Sequence, residues 1–375
     1  MSTKQKRLIP LVCILVILAS IAGGLSWYDS HVDRSGWVEK DGVRYYQDFH
    51  AKPVSGWLDL PDGRYCYREE GTACLGWQEI DGVTYYFGTS GAMTTGWAEI
   101  DGETCYFGGN GAMVTGWLWL EEGQYYLRDG ALLTGWQDID SGRCYFDEDG
   151  IAAQGFTEID GETHYFTPKG IEVVLVNALN PVPSWYKLDP VNVVDYHDVD
   201  SLCYDALVQM LADCNAAGIE YTFNSAYRTI LEQTTILEYR TREHMETYGL
   251  DFEAARDKAL ETVAIPGTSE HHLGLAVDLL GEEAIAWFTE HCWDYGFILR
   301  YTTEKESITG IVDEPWHFRY VGTEVSLDMK DCGLCLEEYL GAEPVETSKV
   351  KELYGDKLYE ETVYEEKTNA ASTSK

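Results

Sequence analysis

The residues best suited to chemistry stand in two short stretches. In Ser269-Glu-His-His-Leu-Gly-Leu-Ala-Val-Asp278, His271 and Asp278 lie seven positions apart; Glu314-Pro-Trp-His317 follows downstream. Two imidazoles and one carboxylate make a donor set that suits a zinc ion with one coordination position left to water, whose pKa then falls to roughly 7. Glu314 is a further carboxylate that need not touch the metal. It sits three residues before His317 on one short segment, with Pro315 limiting the backbone between them, and is placed to act as a general base.

Such a constellation needs rigid elements to hold it. Leu273, Leu275, Val277 and Leu279 alternate with Gly274, Ala276 and Asp278, which predicts a strand. On that strand Asp278 shares a face with Gly274 and Ala276, whose small size leaves room beside the carboxylate. His271 then falls in the turn entering the strand, after the breaker pair Pro266-Gly267. Upstream, Val173–Val176 reads as a strand and 201–217 as a helix stopped by Gly218. A strand over 219–224 and helices over about 229–247 and 251–263 follow. Downstream come a helix over 282–295 and strands over 297–301 and 316–320. Helices before and between mainly antiparallel strands predict an α+β domain.

These residues carry a resemblance. Ser269-x-His271-x-x-Gly274-x-Ala276-x-Asp278 with Glu314-Pro-Trp-His317 is similar to the VanY-type D-alanyl-D-alanine carboxypeptidases of the zinc D,D-peptidase family. Ser225-Ala-Tyr-Arg228-Thr resembles that family's Ser-Gly-Tyr-Arg-Ser segment. Gln233, Val176-Asn177, Asn180-Pro181 and Leu299-Arg300-Tyr301 extend the likeness over roughly 171–341. The resemblance implies one Zn2+ held by His271, Asp278 and His317, with Glu314 moving the protons. It also implies Arg228 on the substrate carboxylate, with Ser269 and Gln233 as further substrate contacts. The implied substrate is a peptidoglycan stem peptide ending in D-Ala-D-Ala. His272 stands where relatives often carry Gln and is given no metal role. The same zinc chemistry would serve a D,D-dipeptidase, an L,D-peptidase or a peptidoglycan endopeptidase. A wall-binding adhesin with an inactive peptidase domain is the third class, and the intact set of four residues argues against it.

Ahead of this domain lies an internal repeat. Gly-Trp recurs at Trp37, Trp57, Trp77, Trp97, Trp117 and Trp136, and Gly155-Phe156 continues it, at spacings of 20, 20, 20, 20, 19 and 20 residues. About eight residues after each comes an aromatic pair such as Tyr45-Tyr46 or Tyr85-Tyr86, and Asp-Gly stands just before most of them, as a two-residue hairpin turn requires. Each hairpin is too small to bury its own aromatic face, so stacking in a solenoid is expected over 35–170. The units resemble the cell-wall-binding, or choline-binding, repeats of Gram-positive surface proteins. That likeness implies aromatic cages, with Trp37, Trp57, Trp77, Trp97, Trp117, Trp136, Tyr86, Tyr106 and Tyr126 as candidates, for a choline-bearing teichoic acid or a glucan. The same aromatics could instead only build the solenoid, or serve as a spacer.

The 375 residues carry a formal charge of −37, which leaves no electrostatic footprint for nucleic acid or an anionic membrane surface. Attachment to an anionic wall must therefore use something other than basic side chains, and aromatic cages can hold a quaternary ammonium. Lys4, Lys6 and Arg7 precede an apolar run, so 1–27 reads as a signal peptide or membrane anchor that places the rest outside a Gram-positive-type cell, secreted or anchored at the wall. The ten cysteines form no compact framework, and Cys66, Cys105 and Cys144 occupy doublet positions where packing suffices. Residues 342–375 read as an acidic, disordered tail.

Overall fold

The computed structural model describes residues 33–139 and 142–359. The expected signal or anchor (1–27) and the last residues of the tail lie outside the described residues. The chain divides between Leu133 and Thr134 into two compact units.

The first unit is a run of antiparallel hairpins. Gly36–Lys40 pairs with Val43–Gln47, Gly56–Leu60 with Gly63–Tyr67, Gly76–Ile80 with Val83–Phe87, and Gly96–Ile100 with Glu103–Phe107. Gly116–Leu120 pairs with Gly123–Arg128, to which Ala131–Leu132 adds a short third strand. At the tips, Asp81 and Gly82 have φ of 53° and 77°, and Asp101 and Gly102 have 56° and 88°. Positive φ at both central residues is what a type I′ turn demands, so Asp-Gly recurs there. The segment leaving each hairpin binds back to the one before: Met93 N donates to Arg64 O at 2.7 Å and Met113 N to Thr84 O at 2.9 Å. This stacking buries Phe87, Phe107 and Leu127, which a lone hairpin would expose.

The second unit opens with two more hairpins, Gly135–Ile139 with Gly142–Phe146 and Gly155–Ile159 with Glu162–Phe166. The repeat thus runs on to Phe166 while compactness divides the chain earlier, at Thr134. The reason is contact: Arg143 lies over Trp185 at 4.1 Å, and the Tyr165 and Tyr339 hydroxyls are 2.8 Å apart. The α+β domain follows. Helix α1 (Ser201–Ala216) starts at Asp200, whose carboxylate accepts from Leu202 N. Strand β1 is Thr222–Ser225. Helix α2 (Ile230–Tyr248) carries a capping box of Thr229 and Glu232 and ends at left-handed Gly249. Helix α3 (Phe252–Ala259), strand β2 (Ala276–Leu280), helix α4 (Glu282–His291), strands β3 (Phe297–Tyr301) and β4 (Glu314–Tyr320), and helix α5 (Thr323–Cys332) make up the rest of its main frame, beside a hairpin of Pro190–Val194 with His197–Asp200 and short helices such as Leu336–Tyr339. The sheet order is β1-β2-β4-β3, antiparallel throughout. Val277, Leu279 and Phe318 of its central strands pack with Leu207, Met210 and Phe288 of the helices.

Several expectations change. Val173–Val176 forms no strand: it runs without a ladder partner, and Val174 O instead accepts from the Arg319 guanidinium at 2.8 Å. Helix α3 stops at Ala259, short of residue 263. Strand β2 starts only at Ala276, because Leu273 closes a 3-10 turn over Glu270–Leu273 and Gly274 turns the chain with φ +67°. Gly274 therefore does not make room beside Asp278. A Cβ on it would meet Asp200 N at 2.7 Å and Leu188 Cδ1 at 2.6 Å, so its role is close packing on the start of α1. The described part of the tail is structured: Thr347–Tyr354 is helical, and Lys351 and Tyr359 each meet Asp257 at 2.8 Å. Val345 and Leu358, apolar residues set among charges, are buried and hold it there.

Candidate metal centre and substrate cleft

Asp278 sits mid-strand in β2, paired with His317 of β4 on one side and Ser225 of β1 on the other. Directly opposed residues share a face, so the carboxylate and the His317 imidazole converge. His271 comes from the 3-10 turn ahead of β2, whose first residues are held by Ser269: its hydroxyl accepts from His271 N. Asp278 Oδ1 lies 3.4 Å from His271 Nε2 and 3.2 Å from His317 Nδ1, and the three donor groups lie within 4.8 Å of one another.

These residues fit a divalent cation with nitrogen and oxygen ligands. Asp278 Oδ1 is buried and has no hydrogen-bond partner, an orphan that a cation between two imidazole nitrogens would satisfy. His271 Nδ1 is 2.6 Å from Ala226 O, so it donates there and turns the Nε2 lone pair toward Asp278. His317 is oriented the other way round, with Nε2 3.4 Å from a Glu270 oxygen and Nδ1 inward. Burial pushes the His271 pKa down to about 4, so that ring is neutral. Burial also opposes the charge on His317, but Asp278 and Glu270 outweigh it and raise the metal-free ring to about 9.

Glu314 and His317, three apart on one strand, would normally face opposite sides. Here Tyr301 pairs with Glu314 and Leu299 with Phe318, so four steps along β4 match two along β3. The bulge over Pro315-Trp316-His317 brings both side chains to the cleft, with Glu314 Oε2 3.8 Å from His317 Nδ1. Burial pushes the Glu314 carboxyl up to about 7, the range in which a carboxylate can both take and return a proton near neutrality.

Arg228, just after β1, faces the same cleft. Its Nη2 donates to Asp278 Oδ2 at 2.7 Å, its Nε to Ser225 Oγ at 2.7 Å, and its Nη1 to Gln233 Oε1 at 3.3 Å. The guanidinium thus holds the outer oxygen of the aspartate while remaining at the cleft wall. Gln233 is buried and ties Arg228 to Ala264 O at 2.9 Å. His272 is used at both nitrogens: Nε2 accepts from Gly267 N, and Nδ1 is 2.7 Å from Arg228 O. It braces the turn and is not one of the three grouped donors. The cleft, about 620 Å³, is lined by these groups together with Trp316, Tyr301 and Arg240.

Beneath the centre lies a buried ionic cluster that sequence reasoning missed. Glu270 accepts from Arg300 Nε at 2.8 Å and lies 3.2 Å from Arg319 Nη1. Arg300 binds Glu337 with two bonds of 2.6 and 2.8 Å, and Asn177 donates to the same carboxylate at 3.0 Å. All four charged side chains are essentially inaccessible to solvent. Burial would raise the Glu270 carboxyl, but Arg300 and Arg319 hold it well below the usual carboxylate range. The available signals were Arg319 inside the apolar run Phe318–Val321 and Arg300 in Leu299-Arg300-Tyr301.

In the hairpins, five of the six repeat tryptophans face the aromatic paired with them across the hairpin. Trp37–Tyr46, Trp77–Tyr86, Trp97–Tyr106, Trp117–Tyr126 and Trp136–Tyr145 have ring centroids 4.9 to 5.6 Å apart, all edge-on. Trp57 has Cys66 at that place and meets Tyr85 of the next hairpin at 5.1 Å.

The profile of VanY, D-alanyl-D-alanine carboxypeptidase, matches residues 196–323, and the choline-binding repeat profile matches 75–116, 94–131 and 133–174. A D-alanyl-D-alanine carboxypeptidase of Enterococcus faecalis is 37% identical over 178 residues, spanning 46% of this chain and 66% of that one. The bifunctional D-Ala-D-Ala dipeptidase and D-Ala-D-Ala carboxypeptidase VanXYC of Enterococcus gallinarum is 37% identical over 141 residues, 33% of this chain and 69% of that one. The chain spans half to two thirds of the first curated relatives, 66% of the Enterococcus faecalis protein and 50% of a Bacillus subtilis one. Among solved structures, a zinc complex of a mutant vancomycin-resistance D,D-pentapeptidase VanY is 37% identical, with a TM-score of 0.44, over 45% of this chain and 98% of that one. Choline binding protein F of Streptococcus pneumoniae is 28% identical, with a TM-score of 0.37, over 46% of this chain and 56% of that one. Through its α+β domain the chain belongs to the VanY D-alanyl-D-alanine carboxypeptidase family, and it carries choline-binding repeats ahead of that domain.

Proposed function

We propose that the chain is a zinc-dependent D-alanyl-D-alanine carboxypeptidase. It removes the terminal D-alanine of peptidoglycan stem peptides outside a Gram-positive-type cell and is held at the wall by its repeats. The observation that carries this reading is the orphaned Asp278 Oδ1 between two imidazole nitrogens, with Glu314 beside them at a pKa of about 7.

His271 through Nε2, His317 through Nδ1 and Asp278 through Oδ1 would hold one Zn2+. When bound, the ion supplies Lewis-acid polarisation of the scissile carbonyl and lowers the pKa of the attacking water. Glu314 takes the proton from that water and returns one to the leaving D-alanine amine. Arg228, held by Ser225 and Gln233, still has unused N–H groups for the substrate's terminal carboxylate. A fixed guanidinium at the cleft wall would select a chain end over an internal peptide bond.

The test uses a stem pentapeptide ending in D-Ala-D-Ala, with free D-alanine followed with and without chelator. Release of single D-alanine that is lost with chelator, and lowered at least ~100-fold in Glu314→Ala with zinc still bound, is the expected result. Release of the dipeptide, or cut bonds elsewhere in the stem, would move the assignment to another peptidase specificity. No cleavage by the zinc-loaded protein would leave the repeats as its working part.

A further inference from the structure

The hairpins vary at several positions, and one of these is the second residue of the return strand, which stands two residues before the residue paired with the repeat tryptophan. It is arginine in three hairpins: Arg44, Arg64 and Arg143. In each the guanidinium lies on the face of its own tryptophan, at 3.9 Å from the Trp37 centroid, 4.6 Å from Trp57 and 3.8 Å from Trp136. These distances are within cation–π range. Each arginine is also tied elsewhere. Arg44 donates to Ser90 O at 2.9 Å, Arg64 lies 3.4 Å from Asp59, and Arg143 lies 3.7 Å from Glu172 with its second face on Trp185.

At Trp77 and Trp97 the same position is Thr84 and Thr104, which bring no charge. These two tryptophans are each 40% exposed, whereas Trp37, Trp57 and Trp136 are half-buried. Around Trp97 the aromatic wall is complete: Tyr106 stands at 4.9 Å and Tyr125 of the next hairpin at 5.1 Å, both edge-on. Around Trp77 the place of Tyr125 is taken by Cys105, so one wall is missing.

We propose that three of the aromatic cation sites are filled from within by arginine, and that the Trp97–Tyr106–Tyr125 cage is the principal site left for an external quaternary ammonium. Trp77 is a weaker second site. This rests on reading the repeats as ligand cages and adds which of them can act. A tethered guanidinium on a tryptophan face competes at very high effective concentration with any free cation. The plugged hairpins therefore stabilise the stack, while the Trp97 and Trp77 hairpins do the binding.

Choline chloride titrated into the full chain tests this, with bound equivalents read by calorimetry and by tryptophan fluorescence. Wild type should bind one strong equivalent and one weak. Thr104→Arg should weaken the strong site at least tenfold, and Arg44→Thr should add an equivalent at Trp37–Tyr46–Tyr65. Threonine at this position is what three sibling hairpins carry, at Thr84, Thr104 and Thr163, and an unchanged near-UV circular dichroism spectrum checks the stack. If folded Arg44→Thr gains no equivalent, the inference is overturned. In that case, choline binding by wild type would show that the cages still work, whereas no binding by any variant would remove the cage reading as well.

Discussion

Glu270→Gln should be the most damaging isosteric change in the α+β domain, although Glu270 touches neither substrate nor metal. The carboxylate balances two buried arginines, Arg300 at 2.8 Å and Arg319 at 3.2 Å, with Glu337 as the only other counter-charge in the cluster described above. Glutamine keeps the shape and leaves one positive charge uncompensated in a site closed to water. Breaking a buried ion pair by removing one partner costs about 3–5 kcal/mol. For a unit of this size that is a fall in Tm of roughly 6–20 °C. The same change releases His317 Nε2 from its 3.4 Å partner, and loss of such an orienting contact lowers metal affinity by roughly 10–100-fold. The Glu270 carboxyl is held below its unfolded value, so its stabilisation is present above about pH 4.3 and is lost as pH falls through the folded pKa. The gap between wild type and variant should therefore be full at pH 7 and close in acid. Thermal unfolding of the metal-free proteins across pH and zinc competition against a chromophoric chelator measure the two effects. A variant within a degree of wild type and within twofold in zinc affinity would refute the reasoning.

Three further outcomes are expected. Arg228→Lys loses the planar fork that serves Ser225, Gln233 and Asp278 together, so kcat/KM should fall by roughly 10–100-fold, beyond what retention of charge alone would allow. Gly274→Ala places a Cβ within 2.7 Å of Asp200 N at a φ of +67°, and denaturant unfolding should show a loss of at least ~2 kcal/mol. At Gly76, where φ is +65° but nothing lies within 4 Å, the same change should cost about 1 kcal/mol. Finally, because His317 is raised to about 9 without metal, zinc loading near neutral pH should expel about one proton. Calorimetry in buffers of different ionisation enthalpy reads this release, which should fade as pH rises through 9. The His317 contribution to metal-free stability fades over the same range.

The grouping of His271, Asp278 and His317 was legible because they lie in short motifs whose spacing survives folding: Asp278 and His317 became cross-strand neighbours, and His271 the turn before them. The hairpin period and its Asp-Gly tips were legible for the same reason, since both are local. What was not legible was set by distant partners. Glu337 reaches Arg300 from a short helix 37 residues on, and nothing in its charged neighbourhood, Glu337-Glu338, distinguishes it from a surface residue. Val173–Val176 has the composition of a strand, but composition cannot report that pairing with the preceding hairpin stops at Glu172 and Val173. The bulge that turns Glu314 toward His317 is visible only in the register of β3 against β4.

The placement of the last two hairpins bears on how such proteins are assembled over evolutionary time. Gly135–Phe146 and Gly155–Phe166 are repeats by sequence but partners of the enzyme by packing, through Arg143 on Trp185, Tyr165 on Tyr339, and Ile171 closing over Gly142. A gene fusion that joined foreign repeats at residue 171 would strip these covers and expose Trp185 and Tyr339. Duplication or loss among the hairpins before Leu133 carries no such consequence for those contacts. The heritable cassette is thus the enzyme with its two resident hairpins, and a donor chain seeking a new wall module has its natural junction at Thr134.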